Sequence, residues 1–197
     1  MVTQPAYIAN LKAYAKTRYG DDYDIEVAIN ELTTESDRGA IILAATSVED
    51  ILEYAILKHL PGLQKDEPAR KRMFGVDGTI SSFSKKMAMA YALGIIDKDY
   101  RRLIDIVREI RNACAHSRKP ISLVVPVVSE ACKVVISDML PDLKDQKPET
   151  IRIAFVSKCA FISHYIGTGE KVEGSVAQLK YVAKLRQAKG VQVKRSP

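Results

Sequence analysis

The chain has 197 residues, of which 47% are hydrophobic and 27% charged, and its formal net charge is +6. This length suffices for one well-buried core but is short for two domains. No run of about 18 apolar residues occurs, and residues 1–10 lack a basic start followed by an apolar stretch, so we expect no membrane span, no secretory signal, no membrane partner and a cytoplasmic location.

The positive charge is concentrated towards the carboxyl terminus. Residues 151–197 hold nine Lys or Arg against two Glu, whereas residues 1–150 hold 21 Lys or Arg against 22 acidic residues. Such asymmetry favours an anionic partner such as nucleic acid, and a solvated face of lysines is the alternative. An amphipathic helix is predicted over residues 175–189. The residues of this helix that we expect to bind nucleic acid are Lys180, Lys184, Arg186 and Lys189.

The cysteines indicate neither a disulfide framework nor a zinc site. Cys114, Cys132 and Cys159 are an odd number, lie 18 and 27 residues apart, and include no Cys-x-x-Cys pair. Buried thiols in a reducing compartment are therefore predicted. No cofactor is expected.

Helix-forming residues dominate the chain, and no Asn-Gly-turned alternation typical of hairpins occurs, which predicts an all-α fold. We expect one helical domain over residues 1–197, with N-terminal helices in 1–33 and a core bundle in 34–166. A helix with a polar motif is expected over 97–117 inside that bundle. A basic C-terminal helix and tail are expected over 175–197.

Apolar periodicity predicts helices over 4–18, 25–32, 41–60, 80–94, 97–117, 126–139 and 150–165. Residues 33–37 supply N-cap candidates for the long helix that follows them, and residues 62–78 are predicted to be a polar connection. In the helix over 80–94, Lys85 and Lys86 are predicted to lie largely opposite the buried stripe. The helix over 150–165 is apolar nearly all round, which indicates a buried helix or a subunit interface.

One carboxylate lies beside an apolar stripe. Glu49 shares a helical face with Ala45, Leu52 and Ile56. A carboxylate in that position is costly unless it is paired, so we expect an arginine partner, either Arg111 or Arg108. The alternative is that Glu49 lies at the rim of the stripe, in water.

The helix over 97–117 carries the polar cluster with the clearest chemistry, and Asp97 can cap its amino end. It ends in Arg111-Asn112-Ala113-Cys114-Ala115-His116. Asn112 and His116 are four residues apart and share a face, with Arg108 one turn earlier on the same line. Arg111 lies about 100° round the helix, near enough for its long side chain to join them.

These residue types suit the cleavage of a phosphodiester. Arg111 can bind phosphate oxygens through two parallel hydrogen bonds, His116 can take a proton from a 2′-hydroxyl, and Asn112 can hold either in register. The reaction requires no metal, and the sequence has no Asp/Glu/His cluster at ligand spacing. The structural alternative is that an arginine and a histidine in a last helical turn cap free carbonyls. His59 and His164 are isolated and are interpreted as structural.

The segment from Arg111 to His116 resembles the arginine-to-histidine signature of the HEPN superfamily, whose helical bundles include metal-independent endoribonucleases of toxin and defence systems. About residues 39–123 resemble the mannitol operon repressor family. That resemblance also rests on Ser47-Val48-Glu49-Asp50-Ile51-Leu52, on Phe74-Gly75-Val76-Asp77-Gly78-Thr79-Ile80 and on Ala90-Tyr91-Ala92-Leu93-Gly94-Ile95-Ile96.

The two resemblances imply different functions. In HEPN nucleases, residues matching Arg111, Asn112 and His116 form the active site, commonly across a dimer. In the repressor family the scaffold is thought to regulate transcription, and members often lack the complete signature, which this chain keeps. No helix-turn-helix is apparent, so direct reading of DNA bases has little support.

We therefore expect a HEPN-like and mannitol-repressor-like helical bundle that forms a homodimer and cleaves RNA without a metal. Arg111, Asn112 and His116 are the expected catalytic residues, with Glu49 and Arg108 in support. The alternative is a non-catalytic transcriptional regulator that acts through protein partners. A protein partner, either an antitoxin or a regulator, is compatible with both functions.

Overall fold

The computed structural model describes residues 32, 34–140, 142, 144 and 146–170. Within them the secondary structure consists of helices without strands, so the all-α prediction is confirmed. The predicted helices over 4–18 and 175–189, and most of the one over 25–32, lie outside the described residues. The candidate nucleic-acid-binding residues also lie outside the described residues; they are Lys180, Lys184, Arg186 and Lys189.

Seven helices are described in this part of the chain. They are α1 (Asp37–His59), α2 (Pro61–Gln64), α3 (Glu67–Phe74), α4 (Phe83–Ala92), α5 (Lys98–His116), α6 (Pro126–Val135) and α7 (Pro148–Thr168). None of these helices is long and apolar enough to cross a membrane.

The first helix, α1, is the centre of the bundle. It packs most extensively against α7 and also against α5 and α4. Its enclosed side chains, which include Ile41, Val48 and Leu52, recur at the three- and four-residue spacing of an apolar stripe. The α7 helix is buried nearly all round, with Phe155 and Ile162 among its largest enclosed side chains. One hydrophobic core therefore joins α1, α4, α5, α6 and α7.

Short polar residues start the two helices that carry the candidate site. Ser36 accepts a hydrogen bond from the backbone N of Gly39 over 3.1 Å at the start of α1. Asp97 accepts hydrogen bonds from the backbone N of Asp99 over 3.0 Å and of Tyr100 over 2.8 Å at the start of α5. Each cap satisfies N–H groups that have no partner inside the helix. The predicted cap at Asp97 is confirmed.

The predicted polar connection over residues 62–78 is partly wrong, because it contains most of α2 and all of α3. Asp66 caps α3 by accepting a hydrogen bond from the backbone N of Ala69 over 2.9 Å. Pro68 lies in the first turn, where its missing N–H costs nothing. The helix buries no residue fully, so the sequence shows no apolar stripe there, and only the cap and the proline indicate it.

The carboxyl end of α5 is held against the amino end of α1. Arg38 donates hydrogen bonds from Nη2 to the carbonyl oxygens of Ser117, over 2.6 Å, and Lys119, over 2.9 Å. Asp37 accepts a hydrogen bond from the backbone N of Leu123 over 2.8 Å. The segment that follows the motif is therefore anchored to the central helix of the bundle.

The cysteines are free thiols inside the bundle, which confirms the prediction of buried thiols. Cys114 is 3% exposed, and Cys132 and Cys159 are 0% exposed. Burial raises the pKa of Cys132 to about 12 and also raises the pKa of Cys114 and Cys159. The cause is that a thiolate is poorly solvated among apolar side chains.

We expect the Cys132→Ala variant to lose less stability at alkaline pH than the unaltered protein. The unfolded thiol ionises above its ordinary pKa of 9.0, whereas the folded thiol stays protonated until about 12, so a rise in pH through that window favours unfolding. Between about pH 8 and about pH 10 this group contributes a loss of about 1 kcal/mol. Urea denaturation of both proteins at the two pH values measures the difference. Parallel losses would contradict the assignment.

Candidate functional site

Arg111 is the centre of the described part of the candidate site. It lies beside the buried residues Ile110 and Cys114 of α5, so its aliphatic stem packs against the bundle, and 30% of the side chain is exposed. Its Nη1 donates a hydrogen bond to Oδ1 of Asn112 over 3.1 Å. Its Nη2 lies 3.7 Å from Oε2 of Glu49. The expected arginine partner of Glu49 is therefore Arg111.

Among the described ion pairs, Glu49 belongs to a network of four charged side chains. The Nζ atom of Lys86 lies 3.3 Å from Oε1 of Glu49 and 3.1 Å from Oε2 of Glu53. The side chains of Lys86, Glu49 and Glu53 are only 8%, 14% and 22% exposed. With Arg111, the network holds two cations and two carboxylates, and this balance offsets the cost of removing the charges from water. Glu49 is thus fixed from both sides, by α4 and by α5.

The prediction that Lys86 lies opposite the buried stripe of α4 is wrong. Lys86 is 6% exposed, whereas its neighbour Lys85 is exposed. Lys86 lies three residues after Phe83 and four before Ala90, both buried, so the helical spacing includes it in the stripe. Its aliphatic stem packs there while its amino group reaches the carboxylates of α1. The sequence signal for this buried cation is the pair Glu49 and Glu53, two carboxylates four residues apart on the helix predicted over 41–60.

His116 makes no described contact with the other motif residues. It is exposed in the last turn of α5, and its ring makes no hydrogen bond or ion pair with the residues that the structure describes. Five residues separate it from Arg111, which corresponds to about 140° round the helix and about 7.5 Å along it. Asn112 is partly buried beside Arg111. The structure therefore brings Glu49, Arg111 and Asn112 together and leaves His116 on the solvent side.

Arg108 is engaged elsewhere. It donates hydrogen bonds from Nε, over 3.0 Å, and from Nη2, over 2.8 Å, to Oδ1 of Asp105, and it also contacts Glu109. The hydrogen bond with Asp105 raises the pKa of the Arg108 guanidinium. These partners lie on α5 itself, so Arg108 is paired along the helix surface and makes no ion pair with Glu49 among the described contacts.

An apolar groove of about 470 Å³ lies between α5 and α6. Its lining residues are Glu109, Ile110, Ala113, Cys114, Ser117, Ile121, Val127, Val128 and Ala131. Ala113 and Ser117 each follow a motif residue by one position, so the groove opens on the flank of α5 beside the face of Asn112 and His116. Neither Arg111 nor His116 lines it.

The arrangement around Arg111 is suited to binding an anion. A guanidinium has five N–H donors, of which Arg111 uses one in the hydrogen bond to Asn112, while its Nε is buried without a hydrogen-bond partner. The contact with Glu49 is longer than a hydrogen bond. The exposed part of the guanidinium therefore has donors free for a ligand. In the described part of the chain, no group of three His, Cys, Asp or Glu is placed to hold a metal ion.

Comparison with known proteins does not assign this chain to a family. A scan against protein-family models finds no match, and searches of curated proteins and of solved structures also find none. A functional proposal therefore rests on the residues of α1, α4 and α5 described above.

Proposed function

We propose that the protein is a HEPN-like, metal-independent endoribonuclease that uses Arg111, Asn112 and His116. The observation that carries this proposal is the state of Arg111. Its guanidinium donates a hydrogen bond to Asn112, lies beside Glu49 and keeps donors unengaged, and 30% of the side chain is exposed. An unpaired imidazole, that of His116, lies little more than one turn further along the same helix.

Arg111 binds the scissile phosphate in this mechanism. Attack on a phosphodiester adds negative charge to the phosphate oxygens, and a preorganised guanidinium stabilises that charge more than water does. Glu49, held by Lys86, limits the positions that the guanidinium can adopt. Asn112, the next residue of α5, also limits the positions of the guanidinium by accepting its hydrogen bond. Glu49 and Asn112 are therefore positioning residues for Arg111.

His116 transfers the protons. The ribose 2′-oxygen attacks phosphorus while its proton passes to the imidazole of His116, and the bond from phosphorus to the 5′-oxygen breaks. The leaving 5′-oxygen takes a proton from the imidazolium, which returns His116 to its neutral form, or from water, in which case the hydroxide left behind takes the proton of the imidazolium. The products are a 2′,3′-cyclic phosphate and a 5′-hydroxyl, with no atom gained or lost by the protein.

A homodimer forms part of the proposal. No described contact joins His116 to Arg111, and about 140° of helix rotation separates them, so a substrate phosphate or a second copy of the chain has to bridge the gap. The resemblance of residues 111–116 to the HEPN signature supports a site completed across two copies. Light scattering of the full chain in solution measures its mass and tests this part directly.

The experiment on function identifies the ends of cleaved RNA. We expect the full chain, in excess chelator, to convert mixed single-stranded RNA into fragments that carry 2′,3′-cyclic phosphates and 5′-hydroxyls, as identified by mass spectrometry. RNA methylated at every 2′-oxygen should stay intact because it lacks the attacking hydroxyl. Cleavage of the methylated RNA, or fragments with 3′-hydroxyl ends, would contradict the mechanism.

One observation favours a second function, that of a non-catalytic regulator resembling the mannitol operon repressor. Arg111 already has a carboxylate partner in Glu49, and with Lys86 and Glu53 the described ion pairs hold as many cations as carboxylates. An arginine with a purely structural role needs only such a carboxylate partner and no ligand. In this case the protein acts through protein partners, and neither it nor a His116→Ala variant cleaves RNA.

A further inference from the structure

Hydrogen bonds hold the backbone of the turn that follows His116. The Oγ atom of Ser117 accepts a hydrogen bond from the backbone N of Lys119 over 3.1 Å and donates one to the carbonyl oxygen of Lys119, also over 3.1 Å. Arg38 donates to the carbonyl oxygens of both residues from α1. These contacts use backbone atoms and the hydroxyl of Ser117, so the turn holds its shape without help from the side chains of residues 118 and 119.

The side chains of Arg118 and Lys119 are available for a ligand. Both residues are exposed, and neither side chain has a hydrogen bond or ion pair with the residues that the structure describes. By contrast, Arg108 on the same helix as His116 is neutralised by Asp105 and Glu109. The turn therefore presents two uncompensated cations directly after the exposed imidazole.

The charge around the turn is positive. Arg38 contacts the turn through carbonyl oxygens and has no carboxylate partner among the described ion pairs. The nearby carboxylate of Asp37 is paired with Arg152, whose Nη1 lies 3.2 Å from its Oδ1. Glu35 is exposed and lies before α1. The turn and the amino end of α1 that contacts it therefore hold more cations than acids.

We propose that Arg118 and Lys119 form a binding site for RNA backbone phosphates next to the proposed cleavage site. This inference rests on the proposed function and adds the residues that hold the strand. Contacts to phosphates fix the register of a nucleic acid without reading its bases. Because these hydrogen bonds already hold the backbone of the turn, binding has to order only the two side chains, which hold the nucleotides beside the bond that is cleaved.

The test measures binding separately from cleavage. The ligand is a short fluorescent single-stranded RNA of random sequence, methylated at every 2′-oxygen, so binding to the full chain is followed by anisotropy without cleavage. The variant is Arg118→Ser with Lys119→Ser. The matched control is Lys71→Ser with Arg72→Ser, which removes two adjacent exposed cations from α3, a helix that follows the opposite end of α1. Thermal unfolding checks that both variants are folded.

We expect the variant at Arg118 and Lys119 to bind RNA on the order of tenfold more weakly. The slope of log affinity against log salt concentration should become shallower by about 1.4, which corresponds to the loss of two phosphate contacts. The control variant should stay within about twofold of the unaltered protein. Equal weakening by both pairs, or none by the first pair, would overturn the inference.

The two proposals fail in different ways. If the unaltered chain binds no RNA, both are wrong. If the first pair matters for binding but unmethylated RNA stays intact, the phosphate site stands and the proposed nuclease activity fails. If RNA is cleaved and the pair has no effect on binding, the nuclease stands and the phosphate site fails.

Discussion

The His116→Ala variant should cleave RNA about 10²–10⁴-fold more slowly than the unaltered protein, which is the usual contribution of a general acid or base. The melting temperature should hardly change, because His116 is exposed and makes no hydrogen bond with the described residues. Initial rates with labelled RNA and a thermal unfolding curve measure both effects on the same preparation.

The matched control for this variant is His59→Ala. His59 is also an exposed histidine in the last turn of a helix, α1, where its Nδ1 lies 2.9 Å from the carbonyl oxygen of Ala55. We expect the control to cleave RNA at the unaltered rate. Equal rates for both variants would mean that His116 takes no part in proton transfer.

The Lys86→Met variant should lose about 3 kcal/mol of free energy of unfolding, because removal of one partner leaves buried charges uncompensated. In the folded protein the Nζ atom of Lys86 lies within 3.3 Å of carboxylate oxygens of both Glu49 and Glu53. Methionine is an unbranched apolar side chain as long as the aliphatic stem of lysine, so the packing of α4 is retained while the charged amino group is lost. Urea denaturation at neutral pH measures the loss.

Lys85→Met is the control for the buried lysine. Lys85 is the preceding residue of α4 and is exposed, so the same substitution should change the free energy of unfolding by about 0.5 kcal/mol or less. Similar values for the two variants would show that the network of Lys86, Glu49, Glu53 and Arg111 contributes no net stability.

Periodicity and capping predict the helices that carry the site. The apolar stripe of α5, its cap at Asp97 and its end at His116 all follow from local rules, and the structure has them. The pairing of Glu49 with an arginine is also predictable, because a carboxylate beside a core stripe needs a cation. Such features depend on residues close in sequence or on a single strong energetic cost.

Features that depend on tertiary contact are harder to predict. Lys86 is buried because α1 places two carboxylates next to its amino group. A lysine is normally assigned to the exposed face of a helix, so the sequence alone does not place it in the buried stripe of α4. The choice of Arg111 over Arg108 depends on which side of α5 faces α1, since both are arginines on one helix. The separation of His116 from Arg111 follows from helix geometry, but only a substrate or a second copy decides whether the two act together.

The central claim is that this chain cleaves RNA without a metal. Its most direct test is the initial rate at which the full chain cleaves single-stranded RNA, measured with and without excess chelator. We predict measurable cleavage at the same rate in both conditions, because in the proposed mechanism Arg111 and His116 supply the charge stabilisation and the proton transfer. An absence of cleavage, or a rate that collapses in chelator, would contradict the claim.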